Sequence, residues 1–159
     1  MSKQKTPECT IVQPDDTEQY VQDALNYLKE QGFRTTKTRR MVLQTLASTR
    51  KPLGPYEIRE RVQKQGGKID VVSVYRILAG LVEAGLAHHI GTVDGYLSCS
   101  SGKGGGHHTE HLICTVCGCV EEMPLPNIAS AEISVSASRA GFDPKSTRVE
   151  VAGICSHCR

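Results

Sequence analysis

Between residues 17 and 85, apolar side chains recur at three- and four-residue intervals in four successive stretches, the spacing of helices with one buried face. Tyr20/Val21, Ala24/Leu25 and Leu28 predict a helix over 17–31, closed by Gly32. Met41, Val42, Leu43 and Leu46 predict a second over 37–48. A third follows the Pro52-Leu-Gly-Pro55 turn, over 56–65, and Gly66-Gly67 breaks it. Asp70 is placed to cap the fourth, which runs through Val74, Ile77, Leu78, Leu81 and Val82 to a stop at Gly85. The period then changes. Residues 86–90 and 96–99 flank Asp94-Gly95, a hairpin turn signal. Helix, short break, helix and ribbon describe a winged helix-turn-helix, whose last helix would lie in a DNA major groove. A helical hairpin of no particular use is the plainer reading of the same pattern.

Residues 1–15 hold two prolines and no periodicity, and are expected to form a mobile arm; Cys9 lies there without a spacing partner. Residues 100–106 are nearly all Ser, Gly and Lys, the composition of a flexible hinge. Beyond them, 111–116 and 120–123 read as strands, 125–140 as a helix ended by Gly141, and 147–154 as a third strand. The expected fold is α+β: a winged helix over 16–99 and a small α/β unit over 107–159. One helix and three strands make too thin a layer to stand alone, which predicts a twofold homodimer completing the sheet.

Charge sharpens this division. The chain carries a formal net charge of only +2, yet residues 29–76 hold twelve Lys/Arg against four Asp/Glu. Residues 86–159 hold five against seven. A basic front joined to a mildly acidic back suggests double-stranded DNA as partner, although a solvated helix face would also look basic. Lys37, Arg39 and Arg40 oppose the dipole at the start of the second helix unless an anion, such as a phosphate, neutralises them. Arg34 would join them in phosphate contacts. Arg76 is the candidate for a guanine contact; Tyr75 and Tyr56 could touch thymine methyls or phosphates, with core packing as the alternative for Tyr75.

The candidate chemistry lies in the second half. Cys114/Cys117 and Cys155/Cys158 are two Cys-x-x-Cys knuckles, each able to aim both sulfurs at one point, which suits a tetrahedral structural zinc. No apolar leader or membrane span is legible, so a reducing cytoplasm is expected, where such thiols bind metal rather than form disulfides. A further cluster comprises His88, His89, Cys99, His107, His108, Glu110, His111, Glu121 and Glu122. His88 and Cys99 on the wing, with His107 and Glu122 across the hinge, would make an inter-domain clamp. That N/S/N/O set suits a second, regulatory zinc. A His-rich loop with incidental metal affinity is the alternative. A catalytic zinc would need an open position that four ligands leave no room for, so no enzyme is expected.

From about residue 17 to the end the chain resembles the ferric-uptake-regulator family of bacterial metal-sensing repressors. The matching pieces are Arg34-Thr-Thr-Lys-Thr-Arg39, Ser73-Val-Tyr-Arg76, Leu81-Val-Glu-Ala-Gly85 and His111-Leu-Ile-Cys114-x-x-Cys117-Gly118. Within the family it looks most like the zinc uptake regulators. Their sensing positions fall here on His88, Cys99, His107 and Glu122. The resemblance implies a repressor for which zinc is co-repressor; iron-, manganese- and peroxide-sensing siblings share the fold. Two departures stand out. Thr147 occupies a position where the iron branch would place a His. Gln63 stands where an Arg would pair, across neighbouring dimers, with the acidic place filled by Glu60.

Overall fold

A computed structural model describes residues 14–100 and 109–159. The arm 1–13, with Cys9, and most of the expected hinge, with His107 and His108, lie outside the described residues.

Four helices form first: α1 (Pro14–Glu30), α2 (Lys37–Ala47), α3 (Pro55–Lys64) and α4 (Val71–Glu83). The first begins at Pro14, inside the stretch expected to be irregular. Proline at a first helical turn followed by Asp15 and Asp16 is a helix-start signal, which apolar spacing does not register. Local chemistry sets the other boundaries. The Thr36 hydroxyl accepts the Arg39 N–H at the start of α2. Asp70 accepts both the N–H and the hydroxyl of Ser73 at 2.8 and 3.0 Å, capping α4. Gly67 is demanded by packing, because a Cβ there would come within 2.6 Å of Val62 and 2.9 Å of Met41.

The apolar faces of the four helices meet in one core that includes Val21, Leu28, Leu43, Leu46, Ile58, Val62, Leu78 and Leu81. The ribbon follows as β1 (Ala87–Ile90) and β2 (Gly95–Ser98), antiparallel, and Leu53 adds a bridge to Tyr96. The reversal falls where the Asp94-Gly95 signal put it, and the turn has more structure than that signal names. Residues Gly91–Val93 form a 3-10 turn, Asp94 takes the left-handed conformation (φ 47°), and Gly95 already pairs with Ile90. The Asp-Gly signal located the reversal but not its type.

The C-terminal half holds β3 (Thr109–Cys114), β4 (Val120–Pro124), α5 (Asn127–Arg139) and β5 (Val149–Gly153). Its sheet has the order β4-β3-β5, antiparallel on one side and parallel on the other. This half has little core of its own. Ile113 and Val120 share a cluster with Ile90 and Leu97 of the wing, so the apolar contact lies across the seam between halves. Helix α5 buries none of its residues within one chain, and Ile128, Phe142, Val151 and Ile154 are exposed. Among the described residues, no helix is long and apolar enough to cross a membrane.

Candidate metal centres and nucleic-acid face

Both knuckles are tight turns that end strands. After β3, Gly118 adopts φ 74° and its N–H returns to the Cys114 carbonyl at 2.8 Å. After β5, the Cys158 N–H returns to the Cys155 carbonyl at 3.0 Å. Because β3 and β5 run parallel, the two turns emerge at the same end of the sheet. The sulfurs of Cys114, Cys117, Cys155 and Cys158 lie within 4.8 Å of one another, and Cys117 and Cys155 are 3.8 Å apart. The edge of a tetrahedron with zinc–sulfur bonds of about 2.3 Å is about 3.8 Å. Backbone N–H groups of Cys117 and Cys155 pull the Cys114 thiol down to about 6. Burial and the neighbouring sulfurs push Cys158 up to about 12. Four sulfurs this close cannot all ionise unless a cation sits among them, so the donor set fits zinc.

The second cluster forms at the seam. His88 on β1 and Glu122 on β4 approach to 3.0 Å (Nε2 to Oε1). Cys99, buried just beyond β2, donates its thiol to the same Glu122 oxygen at 3.6 Å, and the Ser100 N–H donates to the other at 2.7 Å. Burial pushes His88 down, but its bonds to Cys99 and Glu122 outweigh that and raise it to about 9. Burial likewise raises Glu122, and its bonds to His88 and Ser100 hold it far below the usual carboxylate range. Three of the four expected clamp residues are thus brought together; the fourth, His107, lies outside the described residues.

The structure also brings in His111, which belongs to the wider sequence cluster but not to the four expected clamp ligands. It is buried, its ring centroid lies 4.7 Å from that of His88, and its Nε2 has no hydrogen-bond partner among the described residues. Donor atoms of His88, His111 and Glu122 all lie within 4.8 Å of one another. Burial, then the charge of His88, keeps His111 below its ordinary value, hence neutral with a free lone pair. An orphaned buried nitrogen beside an imidazole, a thiol and a carboxylate fits a transition-metal ion. Burial explains why sequence spacing could not place His111: the strand alternation that aims it inward is shared by every second residue.

The helical half presents its own face. On α4, Val72, Tyr75, Arg76 and Ala79 point outward while Val74, Leu78 and Leu81 are buried, which removes core packing as the role of Tyr75. Tyr56, at the start of α3, is 60% exposed. Val72, missed in the sequence, stands outward in the first turn of the helix. The basic residues divide. Arg40 pairs with Glu18 of α1, and Arg39 donates to the Arg34 carbonyl while stacking over Phe33 at 5.6 Å. Both therefore brace the α1–α2 corner. Lys37, Arg34 and Arg76 make no side-chain ion pair among the described residues.

A winged helix with an outward, partly basic face, meeting a cysteine-knuckled sheet across a cluster of His, Cys and Glu side chains, is the architecture of a two-part transcription regulator rather than an enzyme. The chain belongs to the ferric uptake regulator family, whose model matches residues 30–152. Among curated relatives it is similar to the zinc uptake regulation protein of Mycobacterium tuberculosis, 29% identical over 131 residues, covering 80% of this chain and 96% of that protein. It is equally similar to the ferric uptake regulation protein of Legionella pneumophila, 29% identical over 133 residues, covering 83% and 96%. Among solved structures, the holo form of XcZur matches with a TM-score of 0.79 at 28% identity, over 88% of this chain and 96% of that one. The apo form of the same protein matches at only 0.52, at 28% identity over 91% and 98%. A zinc uptake regulator complexed with zinc and DNA shares the fold, with a TM-score of 0.82 at 22% identity over 89% and 94%.

Proposed function

We propose that this protein is a zinc-responsive transcriptional repressor of the cytoplasm, working as a homodimer. One zinc per subunit would be structural, held by Cys114, Cys117, Cys155 and Cys158. A second would be the signal, held by His88, Cys99, His107 and Glu122. The observation that carries the reading is the convergence of His88 and Cys99, from the wing, on Glu122 of the C-terminal sheet. An ion bound there supplies one bridge between the halves. The greater likeness to the holo than to the apo form of XcZur supports reading this arrangement as the metal-loaded one.

In that arrangement the chain's own residues do the rest. The open edge of β5 and the exposed Ile128, Phe142, Val151 and Ile154 suit a second copy, which would extend the sheet and cover α5. Two recognition helices would then stand about one turn of DNA apart. Arg76 would read guanine with its fork, and Val72, Tyr75 and Tyr56 would touch thymine methyls or phosphates. Arg34 and Lys37 would add salt-dependent affinity, with Arg39 and Arg40 contributing to the local positive field while bracing α2. By linkage, DNA must tighten zinc by the same factor that zinc tightens DNA.

An iron- or manganese-sensing role has one observation behind it: His88, His111 and Glu122 alone form a set of nitrogens and oxygen that suits those ions. The Cys99 thiol at the same carboxylate favours zinc. The test is retention of random DNA duplexes by chelator-stripped protein, titrated with Zn²⁺, Mn²⁺ or Fe²⁺. Retention that rises with zinc and not with the others supports the proposal. Equal retention with the seam metal stripped and the knuckle metal kept refutes it.

A further inference from the structure

One rung of the C-terminal sheet carries three titratable side chains. His111 on β3 is paired in register with Glu122 on β4 and with Glu150 on β5. Directly paired residues of neighbouring strands point to the same face, and here that face meets the wing. Glu122 meets the wing near the start of β1, at His88. Glu150 meets it at the far end. Its Oε1 accepts the Gly91 N–H at 2.7 Å, its Oε2 accepts the Thr92 N–H at 2.9 Å, and the Thr92 hydroxyl donates to Oε2 as well. Successive N–H groups at the start of a 3-10 turn form a concave donor pair suited to one carboxylate. Burial pushes Glu150 up, but the bonds from Thr92 and Gly91 outweigh it and keep it ionised.

We propose that Glu150 is a positioning residue for the metal response: a docking carboxylate, independent of any metal, that seats the wing turn on the C-terminal sheet. This deepens the zinc-responsive reading and rests on it for its regulatory meaning. The physical argument is one of constraint. A single ion at His88, Cys99 and Glu122 joins the halves near one point, and the small apolar cluster of Ile90, Leu97, Ile113 and Val120 is non-directional, so neither sets their relative rotation by itself. Glu150 supplies a second point, and the Val120 N–H, bonded to the Arg50 carbonyl at 2.9 Å, supplies a third. Three separated points fix the orientation of one body on another. With two of them formed by the protein alone, the ion selects an arrangement already populated, which raises apparent metal affinity.

The test uses the full-length, knuckle-loaded dimer with Glu150→Ala, Glu150→Gln and Thr92→Val. Zinc affinity of the seam, measured without DNA by competition with a chromophoric chelator, should fall about tenfold in Glu150→Ala, the scale of one charge-assisted hydrogen bond. Glu150→Gln, which keeps one acceptor, and Thr92→Val, which keeps the backbone donors, should fall less. Zinc content at the knuckles and the dimer should not change. Independently, amide exchange of Gly91 and Thr92 should accelerate in Glu150→Ala whether or not zinc governs DNA binding. Unchanged exchange overturns the docking contact. Faster exchange with unchanged seam affinity overturns its positioning role. Should Glu150→Ala fail to fold, Thr92→Val decides from the wing side: unaltered seam affinity there overturns the proposal. If wild-type DNA binding ignores zinc while exchange still responds to Glu150, the functional reading fails and the contact stands.

Discussion

The winged helix and the C-terminal half hold themselves together by different means. The first packs nineteen buried residues into one core, fourteen from the four helices and five from the segments around them, Leu53, Ile69, Ala84, Leu86 and Ala87. The second places Ile113 and Val120 in a cluster it shares with the wing, leaves α5 uncovered, and gathers four cysteines at one end of its sheet. A core of the first kind folds by burying apolar surface and is indifferent to metal. A layer of the second kind buries too little to offset chain entropy, so ligand bonds and a partner surface must make up the difference. On the proposed reading, the contrast places the metal-responsive joint between a reader with its own core and a cysteine-bearing platform, where polar contacts surround the small apolar cluster that the two halves share.

The largest break in this comparison should come from Cys114→Ser. Loss of a structural zinc, on the order of 10 kcal/mol in small zinc domains, should unfold the C-terminal half and dissociate the dimer while the α1–α4 core persists. Circular dichroism with sedimentation would show it; a stable dimeric product would contradict it. Leu43→Ala attacks the other half and should cost about 2–5 kcal/mol in chemical denaturation. Zinc at the knuckles should stay bound. Loss of knuckle zinc in that variant would mean the halves are not independent.

Cys99→Ser strikes the seam alone. The protein should remain a folded dimer with knuckle zinc, and zinc-dependent DNA retention should drop by more than the roughly 10–100-fold that loss of a residue merely orienting a ligand costs, or vanish. An unfolded product would mean that the structural and regulatory roles have been exchanged.

Acid and base should act on the same place. In chelator-stripped protein, His88 is raised from 6.5 to about 9 and Glu122 is lowered from 4.5. The raised group stabilises the docked seam fully below 6.5 and loses that contribution as pH climbs through 9. The depressed group contributes above 4.5 and loses its share as pH falls below it. The metal-free seam is thus tightest between 4.5 and 6.5. Zinc must displace the His88 proton, so its affinity should rise between pH 6 and 9, read by chelator competition. A flat profile would exclude His88 as a ligand. The smallest effect expected is Asp70→Ala, which removes the α4 cap at a cost of about 0.5–2 kcal/mol in thermal unfolding and leaves zinc affinity untouched.

Whatever depends on neighbours a few residues away was legible in the amino-acid order. Three- and four-residue spacing announced α2, α3 and α4 nearly to their ends, and each Cys-x-x-Cys gap announced a turn that aims two sulfurs together. The exceptions were also local. Pro14 started α1 early, and the wing turn closed by a 3-10 turn rather than at Asp94-Gly95 alone. What distance in the chain separates, only the tertiary structure decided. The rotation of α4 about its axis turned Tyr75 outward, because Val74, Leu78 and Leu81 claimed the core. The antiparallel pairing of β4 and the parallel pairing of β5 with β3 set Glu122, His111 and Glu150 on one rung, and that rung faces the wing. Strand register between remote segments is chosen by packing and hydrogen bonding across the whole sheet, and a one-residue slip of β4 or β5 would have turned Glu122 or Glu150 to the opposite face.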